Sequence, residues 1–132
     1  MIKRISMLVF SVLLWSCGGL KPVVTHDLSP LGTWVLVSRS GGLAGTTTTF
    51  DAAHRESVLQ LEQDRMIRWE KGQKISEQSY VIEPGKVIES AEPQDILKAA
   101  ESMPQSLMLK DGQLILRGQC YDCYTDRYQR FR

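Results

Sequence analysis

GTWVLVSRS, residues 32 to 40, changes face with every residue. Trp34, Leu36 and Ser38 share one side and Val35, Val37 and Arg39 the other, the period-two pattern of a strand buried on one side and partly covered on the other. The alternation recurs downstream. SVLQLEQD puts Leu59 and Leu61 on one face with Gln60 and Glu62 opposite, and RMIRWEKG sets Ile67 and Trp69 together with Met66, Arg68 and Glu70 outward. EQSYVIEPGKVIES, PQSLMLKDGQLILRG and TDRYQRF read as further strands. Gln63-Asp64, Lys71-Gly72, Pro84-Gly85 and Asp111-Gly112 punctuate these runs, Asp-Gly suiting a type I′ hairpin and Pro-Gly a type II turn. The product is a meander of antiparallel neighbours, about eight strands of ~6 residues with connections of ~5.

Two longer segments interrupt the meander. SGGLAGTTTTFDAAHRES, residues 40 to 57, is either a loop over an opening or more strand through its threonines, which favour extended backbone. It is not a phosphate cradle, because no Gly-Lys-Ser/Thr follows GGLAGTTTT and no strand-loop-helix frame surrounds it. EPQDILKAAESMP, residues 92 to 104, carries Ile96, Ala99, Ala100 and Met103 at helical spacing between two prolines, which predicts a short helix or helical turn near 93–102.

The amino-terminal stretch MIKRISMLVFSVLLWSCGGL places Lys3 and Arg4 before an apolar run from Met7 to Trp15 and stops at Cys17. That is the anatomy of a secretory signal peptide, too short for a comfortable membrane span. LLWSC resembles a bacterial lipobox, departing from it by the bulky Trp15 at the most tolerant position. The resemblance implies cleavage before Cys17 and lipidation of its thiol and new amine. Several acyl chains at ~0.8 kcal/mol per buried methylene hold far more firmly than one. The expected organisation is a signal peptide over 1–16, a Gly/Pro-interrupted tether over 17–30 and one folded domain over 31–132. Removing Lys3 and Arg4 takes Lys+Arg from 16 to 14 against 15 acids. A near-neutral chain with no basic run excludes nucleic acid as a partner.

With Cys17 lipidated, the three cysteines leave Cys120 and Cys123, in an oxidising compartment. In an extended strand residues three apart lie ~10 Å from each other, out of disulfide range, whereas the ends of a β-turn come within ~7 Å. Cys120-Tyr121-Asp122-Cys123 therefore suits a turn between the last two strands, clipped by its own disulfide. A thiol-redox centre is the alternative, although no βαβ frame surrounds the C-x-x-C. Metal binding is a third, short of ligands even if His54 joins the pair, so no metal or other cofactor is expected. His26 reads as a solvated tether residue. Nothing resembles a nucleophile motif, and the acid-flanked His54 and the Glu89/Glu92 pair stand out in no way from surface charge, so the chain reads as a non-enzyme.

The lipobox, LGTWVLVSRSGGLAG at 31 to 45, the short hairpins and the C-x-D-x…Y-x-R ending at Cys120, Asp122, Tyr128 and Arg130 together resemble the small lipocalin-like lipoproteins of Bacteroidetes-type bacteria. The resemblance spans the whole mature domain through short, degenerate motifs. It implies an all-β fold, a single antiparallel up-and-down barrel of about eight strands. It implies a tryptophan, here Trp34, plugging one end with an arginine from the last strand across it, Arg130 first and Arg132 second. A guanidinium on that ring adds ~0.5–2 kcal/mol and fastens the seam between first and last strands. It further implies a monomer carrying a small hydrophobic ligand, with Leu36, Leu61, Trp69, Tyr80, Leu109 and Tyr128 as candidate contacts. Periodicity shows which face is inward without showing whether the inside is empty, so an envelope structural or partner-binding lipoprotein without a cavity stands as the alternative. Gly18 rather than aspartate after Cys17 favours the outer membrane by the same resemblance.

Overall fold

A computed structural model describes residues 29–131. The expected signal peptide, Cys17, the tether as far as Leu28, and Arg132 lie outside the described residues. Nine antiparallel strands follow in order: β1 Gly32–Gly41, β2 Thr46–Thr49, β3 Ser57–Leu61, β4 Arg65–Glu70, β5 Gln73–Gly85, β6 Gln94–Ala99, β7 Gln105–Lys110, β8 Gln113–Gly118 and β9 Tyr124–Arg130. Each strand from β3 to β8 pairs with its successor, β3 pairs with the first half of β1, and β9 pairs back onto β1. Eight strands thus close into a barrel, which removes the sheet edges that would otherwise be exposed. The four threonines of β2 form the extra strand, lying along the second half of β1 where β3 has diverged. Within the expected loop the strand reading therefore holds for Thr46–Thr49, followed by one 3-10 turn at Ala52–His54 capped by the Asp51 carboxylate.

The expected helix near 93–102 is not formed. Gln94–Ala99 is strand β6, with Tyr80 opposite Ala99 and Asp95 opposite Leu107. The helical spacing of Ile96, Ala99 and Ala100 is a local preference. A helix there would leave β5 and β7 with open edges, and closure of the sheet outweighs the preference.

Two register events decide which side chains enter the barrel. The tight β3–β4 connection, in which the Glu62 amide donates to the Arg65 carbonyl over 2.9 Å, sets Leu61 opposite Met66 and Leu59 opposite Arg68. Since Leu59 and Leu61 belong to the core, Met66 and Arg68 point inward. Ile67 and Trp69 point outward, the reverse of the expected β4 facing. A one-residue change of register exchanges the two faces of a strand, and RMIRW has apolar residues on both. The second event is a bulge in β1: Leu36 pairs Tyr128, but Ser38 pairs Arg127, leaving Val37 as the extra residue. Beyond it Arg39, expected on the face opposite Leu36, stands across from Asp126.

The core runs through the barrel's length. Trp34, Leu36, Leu59, Leu61, Met66, Tyr80, Leu97, Leu107, Leu114, Leu116 and Tyr128 form one buried cluster, with Leu109, Ile82, Ala99 and Phe50 packed against it. The interior is thus largely filled by its own side chains, as in small barrels generally.

Candidate functional site: the open end of the barrel

The two ends of the barrel are built differently. At one, Trp34 is 1% exposed, its indole N–H donates to the Pro30 carbonyl over 2.8 Å, and the Arg130 guanidinium lies 4.3 Å from the ring. Trp34 and Arg130 are also direct cross-strand partners. Arg130 donates in addition to the carbonyls of Leu31 (2.8 Å) and Ser29 (2.7 Å), so the domain takes in Ser29 and Pro30 from the expected tether. Gly32, at φ 130°, leaves room for this lid, since a Cβ there would sit 2.9 Å from Arg130 Nη1. The Tyr80 hydroxyl donates to the Glu62 carbonyl at the turn between β3 and β4. This end is sealed.

The other end opens into a cavity of about 480 Å³ with a mixed lining: the polar side chains of Arg39, Arg68, Gln105, Asp126, Asp122 and Ser102, and apolar surface that includes Met103 and Tyr124, with the two cysteines at the rim. Asp126 is 4% exposed and carries the central charge. Arg39 grips it with both arms of its fork, Nε to Oδ1 at 2.7 Å and Nη2 to Oδ2 at 2.8 Å. The hydrogen bond to Asp126 holds the Arg39 guanidinium well above its ordinary pKa, so it is permanently charged. The Tyr128 hydroxyl lies 3.5 Å from Asp126 Oδ2, and burial pushes its phenol pKa up, so it stays neutral. Arg68 reaches Gln105 Oε1 at 3.4 Å and borders the Tyr128 hydroxyl, with no carboxylate in salt-bridge range among the described residues. Directly across the sheet from Arg68, the buried Ser76 hydroxyl has no hydrogen-bond partner among the described residues.

The structure joins Cys120 to Cys123 across the β8–β9 turn, Cα atoms 5.1 Å apart, with the Cys123 amide donating to the Cys120 carbonyl over 3.3 Å. Two glycines let this clip fold down over the rim. A Cβ on Gly118 would meet Cys123 Cβ at 2.6 Å, and one on Gly41 would meet the Cys123 carbonyl oxygen at 2.5 Å. The pair sits between two strands rather than at a helix terminus, the usual means of stabilising an attacking thiolate. His54 lines a separate hollow on the outer wall and does not join the cysteines. Among the described residues no group of three or more His, Cys, Asp or Glu could hold a metal ion.

Of the residues expected to touch a ligand, Leu36, Leu61, Tyr80 and Tyr128 are packed in the core, with Leu109 against it. Trp69 is corrected to the outer wall, where it lines the hollow of about 410 Å³ with Val58, Thr33 and Phe131. The β3–β4 register puts it there, because its partner Val58 faces away from Leu59. The charged groups of the open end were not anticipated. Asp126 could have been found, since it lies two residues before the inward Tyr128. Arg39 and Arg68 could not, because a bulge and a hairpin register place them. Compared with known proteins, the chain matches no family model, no curated protein and no solved structure.

Proposed function

We propose that this is a lipid-anchored cell-envelope binding protein, not an enzyme, which takes a small, partly hydrophobic molecule at the open end of its barrel. The observation that carries the reading is the contrast between the ends: one sealed by Trp34 and Arg130, the other a cavity of about 480 Å³ with convergent polar groups on a rigid barrel. Small-molecule sites commonly combine a concave mouth with a few fixed polar handles. The filled interior moves the ligand from the core to the mouth. The anchor rests on the apolar leader ending in LLWSC, and Gly18 favours the outer membrane. The test is to extract the purified full chain and identify bound small molecules by mass spectrometry, alongside detergent partitioning of wild type and Cys17→Ser. A stoichiometric ligand and a partitioning lost with Cys17 are expected. An empty protein, or a Cys17→Ser variant still in the detergent phase, would remove the corresponding half of the proposal.

A second reading, a partner-binding lipoprotein without a ligand, draws on Leu43 and Tyr121, 94% and 96% exposed in the β1–β2 and β8–β9 turns. Photo-crosslinkers at these two positions would give a discrete adduct in cells if it held, and none at Ile75 on the exposed face of β5.

A further inference from the structure

We propose that the ligand taken at the barrel mouth is a small organic carboxylate, whose anionic head pairs with Arg68 and whose apolar body lies against Met103 and Tyr124. The proposal rests on the binding-barrel reading and adds the chemistry of the ligand.

Asp126 is fully engaged by the two-armed grip of Arg39. Arg68, which lines the same cavity, meets only neutral groups, the Gln105 amide oxygen at a long 3.4 Å and the Tyr128 hydroxyl. A half-buried guanidinium with five donors and no carboxylate in salt-bridge range among the described residues is an incomplete arrangement, because burying a charge is costly unless it is paired. Ser76, its cross-strand neighbour, has a buried hydroxyl with no hydrogen-bond partner among the described residues, so this neighbour supplies Arg68 with no acceptor. β4 also presents Arg68 inward, although Trp69, the next residue of the same strand, is the larger apolar group. The register spends an inward position on a cation.

The remaining charges select the class of anion. Asp122 stands exposed at the rim with Oδ1 3.5 Å from Cys120 Sγ, and Glu70, at the exposed end of β4, acts on Arg39. Asp126 offsets Arg39, and Asp122 at the rim and Glu70 near Arg39 repel a second negative charge, which disfavours a dianion such as a phosphate monoester and leaves the single positive charge of Arg68 for a monoanion. A planar carboxylate suits the fork of a guanidinium. Beside it, Met103 and Tyr124 are 60% and 52% exposed although both line the cavity, which supplies apolar surface for the rest of the ligand.

The experiment is calorimetric titration of the full chain with hexanoate, hexan-1-ol and hexyl phosphate, probes with one tail and three heads. Hexanoate is expected to bind at least about tenfold more tightly than either of the others. Arg68→Met should erase its advantage over the alcohol, Arg68→Lys should retain part of it, and Arg55→Met on the outer wall should leave it unchanged. The comparison of the three probes on wild type needs no variant, so it decides even if Arg68→Met does not fold. Equal binding of acid and alcohol, tighter binding of the phosphate, or undiminished binding to a folded Arg68→Met would each overturn the proposal. If none of the probes binds while a neutral compound co-purifies, the carboxylate inference fails and the binding-barrel reading stands. If none binds and nothing co-purifies, both fail.

Discussion

The Arg39–Asp126 pair is lopsided, and the lopsidedness makes a quantitative prediction. The Asp126 side chain is 5% exposed, whereas that of Arg39 is 40% exposed. Arg39→Met would strand a buried carboxylate, the case in which breaking a pair costs ~3–5 kcal/mol. Because the open end admits water once the longer side chain is gone, the lower value, about 3 kcal/mol, is expected. Asp126→Asn leaves the complementary fragment, a guanidinium that can still donate to one amide oxygen and turn to solvent. Its loss is that of a charge-assisted hydrogen bond, about 1.5 kcal/mol. Removing both, as Arg39→Met with Asp126→Leu, leaves no uncompensated charge and should recover most of the larger loss. Urea unfolding followed by tryptophan fluorescence would measure all four proteins. In a domain of this size 1 kcal/mol moves Tm by ~4–8 °C, so the single variants should be separated by several degrees. Equal costs for the two single changes, a greater cost for Asp126→Asn, or a double variant as unstable as the sum of the singles would refute the assignment of Asp126 as the buried member.

Other consequences can be checked with the same material. Arg130→Met should lose the contact with Trp34 and the bonds to Leu31 and Ser29, destabilising the domain by about 1–2 kcal/mol in urea melts while leaving binding at the opposite end intact. Cys120→Ser with Cys123→Ser opens a ring of sequence separation 3 and should cost about 2 kcal/mol, with hexanoate binding retained; a collapse of the fold would show that the clip does more than hold the last hairpin. Burial raises the Glu89 carboxyl, but donation by Ser106 and Gln119 outweighs it and leaves the pKa below the ordinary carboxylate value. A lowered folded-state pKa means that its stabilisation is present above the unfolded carboxylate pKa and is lost as pH falls through the folded one. Titration by NMR should therefore show the Gln119 side-chain amide shifting at a pH below 4.5, and Glu89→Gln should flatten that transition.

What the residues disclosed of this fold follows how strand information is encoded. Alternation in GTWVL and SVLQL, and Asp111-Gly112 between β7 and β8, are local signals, and they placed most strands and the all-β class. Strand β6 was hidden because its pairing demand comes from β5 and β7, while its own residues carry a helical spacing. The facing of β4 was hidden for a different reason: RMIRW offers Met66 or Ile67 to the core with little to choose between them, and the Glu62–Arg65 connection decides. That choice also settled where Arg68 went, so the site was less legible than the scaffold. Arg39 needed the β1 bulge, a feature that depends on β9 some ninety residues away in the chain. Only Asp126 was within reach of simple parity from Tyr128.

The carbonyls of Ser29 and Pro30 accept from Arg130 and the sealing Trp34, so the first described residues stand at the blind pole of the barrel. Any pull transmitted along the preceding residues, as from an acylated Cys17, would act on that pole, at the seam where β1 and β9 meet. The load would be borne as shear across the β1–β9 ladder and by the Arg130 clasp instead of being spread over the loops. It would also tend to turn the barrel so that its mouth faces away from the bilayer, towards solutes arriving from the aqueous phase. With the proposed anchor at Cys17, the mouth would lie at the pole opposite the attachment, where a ligand would arrive from the aqueous compartment.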